Sequence, residues 1–236
     1  MKEPTLTLVH SKSLADQIAD SIVEGIANGA LAPGQKIVEA EIASELKVSR
    51  IPVREALKIL HAQGIVTSRP HYGVRVVQFD DRKIVQIYEV RCALEKIAAR
   101  DACKRRLALP LLLKRLDSIL EKMSSCQSRG DYLGISRADL EFHREICLAS
   151  HNEIVITIWE TLSRHMLIVF EQELMTDSDR SHIVEHHRTL RHLIEHKKPK
   201  EIDAEIERHI MRLRNRPSIK QPELETTSVA LEKSSS

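Results

Sequence analysis

Asp139 and His143 stand four residues apart, a spacing that puts both on one face of a helix, inside an arc otherwise made of Ile135, Leu140, Phe142, Ile146 and Cys147. Further along, His187 falls at helical spacing among Ile183, Leu190 and Ile194, and His209 among Ile202, Ile206, Ile210 and Leu213. Three helices thus turn one carboxylate and three imidazoles toward a core. A buried carboxylate is costly unless it is compensated, and a bound cation compensates it well, with imidazoles completing the shell. Ligands of this kind without a thiolate suit zinc, nickel or manganese. The alternative is that each His is a satisfied core residue and Asp139 pairs with His143. His165, inward among Leu162, Met166 and Val169, shows how readily an inward His arises. His192 and His196 point outward on the same periodicity and have no claim.

Arg91 and Glu95 are a second anomaly, because they interrupt the apolar stripe Ile84, Ile87, Tyr88, Leu94 and Ala98. They form either an i, i+4 ion pair covered by its neighbours or a guanidinium lining a cavity that takes a carboxylate ligand.

The third pattern lies in residues 38–60, which read as two short helices joined by a tight turn. At 100° per residue Arg50, Arg54, Lys58 and His61 fall within one quadrant of the second helix, while Val53, Ala56, Leu57 and Leu60 occupy a neighbouring arc. Ser49 is placed to cap that helix, Pro52 sits in its first turn, and Gly64 stands where a residue of positive φ ends it. An exposed basic stripe suits a major-groove reader: Arg pairs bidentately with guanine edges, and Lys58 would sit at a phosphate. The same stripe would also serve as a solvated face on an ordinary helix. The β-rich runs 65–69 and 74–79 around Pro70-His71-Tyr72-Gly73 favour the first option, since they add a hairpin and make a winged helix-turn-helix.

These groups need a scaffold. The chain has 236 residues, 42% hydrophobic and 30% charged, enough to bury one or two cores. The net charge is only +2, but residues 46–79 carry six Lys/Arg against one acid, a local +5, whereas residues 1–45 carry three bases against seven acids. Positive potential is confined to the helix and wing. A helix is expected over residues 13–28, with the stripe Leu14, Ile18, Ile22 and Ile26, followed by a loop at 31–34. From residue 81 to about 213 the periodicity predicts six helices and no strands. The expected division is a DNA-binding domain over 1–79, an all-helical domain over 80–215 and a disordered tail over 216–236. No signal peptide or membrane-length apolar run is present, so a cytoplasmic protein is expected, with Cys92, Cys103, Cys126 and Cys147 reduced.

The stretch LAPGQKIVEAEIASELKVSRIPVREALKILHAQGIV and the wing HYGVRV resemble the DNA-binding domain of GntR-type bacterial transcription regulators. The segments YEVRCALEKIAA, ADLEFHREICLASHNE, EHHRTL and ERHI resemble the all-helical FCD effector domain of the FadR subfamily. The resemblance implies a mostly α fold: a winged helix-turn-helix followed by a six- to seven-helix antiparallel bundle. It implies a divalent metal, zinc first, on Asp139, His143, His187 and His209. His186 competes with its neighbour; His187 is preferred because it lies nearer the apolar centre and directly precedes Arg188. By the same resemblance Arg91 and Asn152 belong to or border a ligand cavity, Arg50, Arg54, His71 and Gly73 contact operator DNA, and the protein is a homodimer. The expected function is a transcription regulator, not an enzyme, that answers to a small carboxylate. The rivals are a metal-sensing regulator and a metal-dependent hydrolase or lyase with an appended DNA-binding module. Against the last, no H-E-x-x-H or evident general base accompanies the ligands.

Overall fold

Ser13 starts the first helix as the spacing predicts: its hydroxyl accepts from the Asp16 amide at 3.0 Å, and α1 runs Leu14–Ala27. The computed structural model describes residues 12–69, 72–176 and 182–211; His71 and the tail from residue 216 lie outside them. Ile18, Ile22 and Ile26 of α1 are buried, but Leu14, at the fraying end of the stripe, is half exposed.

The paired helices are α2, Glu39–Glu45, and α3, Arg50–Ala62. Ser49 occupies the N-cap position of α3, although its side chain makes no capping bond. Gly64 follows with φ 69°, a left-handed conformation that suits glycine. Val53, Ala56, Leu57 and Leu60 form the buried face of α3. Burying each leucine contributes roughly 2 kcal/mol, which holds the neighbouring, basic face outward.

The wing is β2, Val66–Arg69, paired antiparallel with β3, Gly73–Val76, with Thr67 opposite Arg75 and Arg69 opposite Gly73. A third strand, β1 at Lys36–Ile37, pairs with the other edge of β3 and gives the order β1-β3-β2. This strand lies between the expected loop and the expected helix pair; two residues are too few to show an alternating pattern.

Six helices follow among the described residues: α4 Asp81–Lys104, α5 Leu109–Arg129, α6 Tyr132–Ala149, α7 Glu153–Thr176, α8 His182–Glu195 and α9 Pro199–Met211. Asp80 and Asp131 cap α4 and α6, and Gly130 ends α5 at φ 68°. Helices α4, α6, α8 and α9 pack around one another, and α7 lies against both α6 and α1. Among the described residues no helix is long and apolar enough to cross a membrane.

Candidate metal centre and nucleic-acid interface

Helix α6 delivers Asp139 and His143, α8 delivers His187, and α9 delivers His209. One ligand atom from each of the four lies within 4.8 Å of every other. Asp139 Oδ1 stands 3.0 Å from His187 Nε2, 3.8 Å from His209 Nε2 and 4.0 Å from His143 Nε2, and the last two nitrogens are 3.3 Å apart. All four residues are buried. His187 Nδ1 donates to the Ile183 carbonyl at 2.8 Å, which leaves Nε2 with a bare lone pair aimed at the Asp139 carboxylate. Two acceptors facing each other in a dry core call for a proton or a cation between them. Burial holds His143 and His209 below the usual imidazole range, so both stay neutral as metal ligands must be. The buried His187 Nε2 and His209 Nδ1 have no hydrogen-bond partner. Donor types, convergence and orphaned atoms all fit a divalent ion.

Helix α4 supplies a second layer. Arg91 is 1% exposed and donates through Nε to Glu95 Oε1 at 2.6 Å and through Nη2 to Asp139 Oδ2 at 3.0 Å. Glu95 Oε2 in turn approaches His143 Nδ1 at 2.5 Å, off the hydrogen-bonding line. Burial alone would raise the carboxyls of Glu95 and Asp139; the Arg91 guanidinium leads the interactions that outweigh it and hold both low, Asp139 strongly so. With neutral imidazoles, two carboxylates and one guanidinium sum to −1. A divalent ion makes this +1, and a bound monoanion would bring it to zero. Of the two accounts of Arg91, the i, i+4 pair with Glu95 is present, and the carboxylate met by its other nitrogen is Asp139 of the protein itself. The periodicity did not reveal the contact of Glu95 with His143, and its only sign was an inward carboxylate on a neighbouring stripe. Trp159 of α7 lies beside this layer, its ring 6.3 Å from His143 and 5.8 Å from the Arg91 guanidinium.

Asn152 is placed elsewhere. It caps α7 by accepting from the Val155 amide and lines an open groove of about 630 Å³ with Asp101, Lys104 and Arg105. His186 stands apart from the four-residue group, and its Nδ1 pairs with Glu205 Oε1 at 2.9 Å. His192 and His196 are exposed, as expected.

On α3, Arg50, Arg54 and Lys58 are exposed together on the face away from the core. Arg54 is held by Glu39 of α2, with Nε at 3.1 Å and Nη2 at 2.8 Å, and Lys58 pairs with Glu55 at 2.9 Å. Gly73 adopts φ 75°, with Lys36 Cε 3.1 Å from where a Cβ would stand, so the tip of the wing admits no side chain without strain.

The helix pair is tied to the bundle at its rear. Arg164 of α7 donates to Asp20 Oδ1 at 2.9 Å and Asp16 Oδ1 at 3.1 Å on α1. His165 Nε2 reaches the Gln63 carbonyl at 2.9 Å, and Lys83 Nζ the Gly64 carbonyl at 2.7 Å. Both carbonyls close the C-terminus of α3, where the Lys83 cation complements the helix dipole.

The family model described as "Bacterial regulatory proteins, gntR family" matches residues 14–76, and the FCD domain model matches residues 86–212, more than half of the chain. The chain belongs to the GntR family. This GntR protein is 34% identical over 160 residues to the "Probable D-xylose utilization operon transcriptional repressor" of Paenarthrobacter nicotinovorans, covering 66% of the chain and 68% of that relative. It is 35% identical over 137 residues to the gluconate operon transcriptional repressor of Bacillus subtilis, covering 58% of the chain and 55% of the relative. The solved structure of E. coli McbR/YncC superposes with a TM-score of 0.75 at 23% identity over 86% of this chain and 96% of that one, a likeness of fold. As a member of the family the chain is a DNA-binding transcriptional regulator, and FCD domains often bind metal.

Proposed function

We propose that this GntR regulator is a homodimer that holds a divalent metal on Asp139, His143, His187 and His209 and answers to a small carboxylate bound there. The observation that carries the reading is the convergence of four buried ligand atoms, one of them a bare imidazole lone pair facing a carboxylate. When bound, the ion supplies a positive charge and a coordination position that a carboxylate oxygen can share. Zinc is the first choice, with nickel and manganese as alternatives. Arg91 borders the effector space while steadying Asp139 and Glu95, whereas Asn152, at the start of α7, lines the separate groove with Asp101 and Arg105. The domains divide as 1–79 and 80–215, followed by a tail.

The DNA side uses Arg50 and Arg54 at base edges or phosphates, Lys58 at a phosphate, and His71 and Gly73 in the wing. Coupling between the halves runs along α7, which carries Trp159 beside the buried cluster and Arg164 and His165 at the rear of α1 and α3. Dimerisation is supported by exposed apolar residues on two helices that pack together, Val90 and Ile97 of α4 and Ile154 and Ile158 of α7. A two-fold dimer implies a palindromic operator.

A second reading makes the metal itself the signal. It is favoured by Arg91, whose guanidinium is already engaged by two carboxylates and so is less available to an acid. Titrating operator binding with zinc alone, and then with zinc and a panel of carboxylic acids, separates the two. His209→Ala should abolish stoichiometric metal by elemental analysis and weaken the effector response. Wild-type protein that stays metal-free after incubation with zinc, nickel and manganese, yet still answers its effector, overturns the proposal.

A further inference from the structure

The four ligand side chains are between 0% and 11% exposed, so a cation must be handed inward through the protein. One direction is marked by imidazoles. Rings of His182 and His186 on α8 meet edge to face with centroids 5.8 Å apart, and His186 meets His209 at 5.7 Å. His209 then lies 4.4 Å from His187 and 5.1 Å from His143. Exposure falls along the same line: the side chain of His186 is 21% exposed, that of His209 8% and that of His143 0%.

Beside His186 stands Glu205, a carboxylate only 3% exposed, with Oε1 2.9 Å from His186 Nδ1 and with Arg208 of the same helix as its other partner. His186, Glu205 and His209 each offer a ligand atom within 4.8 Å of the others, so they form a second ligand set that shares His209 with the first. His209 is suited to both: its Nε2 faces His143 and Asp139, while its buried Nδ1 has no hydrogen-bond partner. A bare divalent ion crossing a low-dielectric core would meet a prohibitive desolvation barrier, but a series of overlapping ligand sets replaces water one donor at a time.

We propose that His186, Glu205 and His209 form an entry-side cation site through which a divalent metal exchanges with the buried centre. This rests on the metal reading above. On capture, the proton shared by His186 and Glu205 leaves to solvent; on transfer, the cation exchanges those two ligands for Asp139, His143 and His187, and no redox change is needed.

The test uses the full chain, zinc delivered from a weak chelator, and release of zinc from loaded protein into excess strong chelator. In His186→Leu and in the near-isosteric Glu205→Gln, uptake and release should both slow, each on the order of tenfold. A site on the route changes both rates alike, so affinity should stay within about twofold and the stoichiometry should match wild type. Circular dichroism checks the fold, and Glu205→Gln serves if His186→Leu does not fold. Unchanged rates overturn the entry site. So does weaker affinity with unchanged uptake, which would make the two residues mere braces of His209. A wild-type chain that takes up no zinc overturns the metal reading itself, a result distinct from stoichiometric zinc with invariant rates.

Discussion

Replacing Arg91 by Met tests the buried charge balance directly. Met keeps much of the stem volume but leaves Glu95 and Asp139, both nearly inaccessible, without their shared cation. Removing one partner of a buried pair costs about 3–5 kcal/mol. Each carboxylate keeps a histidine neighbour, which argues for the middle of that range, about 4 kcal/mol in metal-free protein. With zinc bound, Asp139 is compensated by the ion and only the share of Glu95 is lost, about 2 kcal/mol. The two losses differ by about 2 kcal/mol, so linkage requires Arg91→Met to bind zinc about thirtyfold tighter than wild type. Urea unfolding with and without saturating zinc gives the two losses, and a competition titration gives the affinity independently. The double variant Arg91→Met/Glu95→Gln should be less destabilised than the sum of the single changes, because the charge that Arg91 balanced is gone. Equal losses with and without zinc, or weaker zinc binding in Arg91→Met, would refute the reasoning.

Three further predictions concern the DNA side and its coupling. Arg54→Ala should lose about 1–3 kcal/mol of discrimination between operator and other sequences, whereas Lys58→Ala should weaken all sequences alike and lower the salt slope by about 1; band shifts at several salt concentrations decide. Arg164→Ala should uncouple effector from operator, and a double-mutant cycle with Asp20→Asn should give about 1 kcal/mol, modest because Asp20 is one-third exposed; a cycle energy near zero counts against the clasp. Burial lowers the pKa of His165 from its ordinary value of 6.5, opposed by the Gln63 and Thr161 carbonyls and assisted by Lys83 and Arg164. The unfolded chain therefore binds the proton better, so this contribution is complete above about pH 6.5 and is lost as pH falls through the folded pKa. The stability gap between wild type and His165→Asn should narrow between pH 7.5 and 5.5, as read from urea midpoints, because His143 and His209 titrate in both proteins and cancel; parallel curves would refute it.

Much of this was legible in the chain because helices write their faces into the sequence. The i, i+4 pair Asp139 and His143, and His187 and His209 among their isoleucines, gave away which way they point. The ends of α3 were equally plain from Ser49 and Gly64. What periodicity does not encode is the partner on the next helix. Arg91 and Glu95 were visible as intruders in a stripe, but the reach of Arg91 to Asp139 and of Glu95 to His143 depends on how α4 is rotated against α6. His165 looked like an ordinary inward histidine; only the docking of α7 against the end of α3 gives it the Gln63 carbonyl. His187 is preferred to His186 for its place nearer the apolar centre and before Arg188, and it is His187 that stands with Asp139, His143 and His209. The strand β1 escaped notice because its only signature is its pairing with β3.

The contacts of His165 and Lys83 with the C-terminus of α3 end on main-chain oxygens, those of Gln63 and Gly64. No side chain on the exposed face of that helix takes part in them. Arg50, Arg54 and Lys58 are thus free to be exchanged for other residues as target sites drift, without disturbing the grip that joins reader to bundle. The reverse also holds: the bundle can be retuned to another metabolite while the same two carbonyls are kept. Such a joint lets the two halves evolve as separately adjustable modules, provided that His165, Lys83 and the Arg164 clasp on α1 are kept.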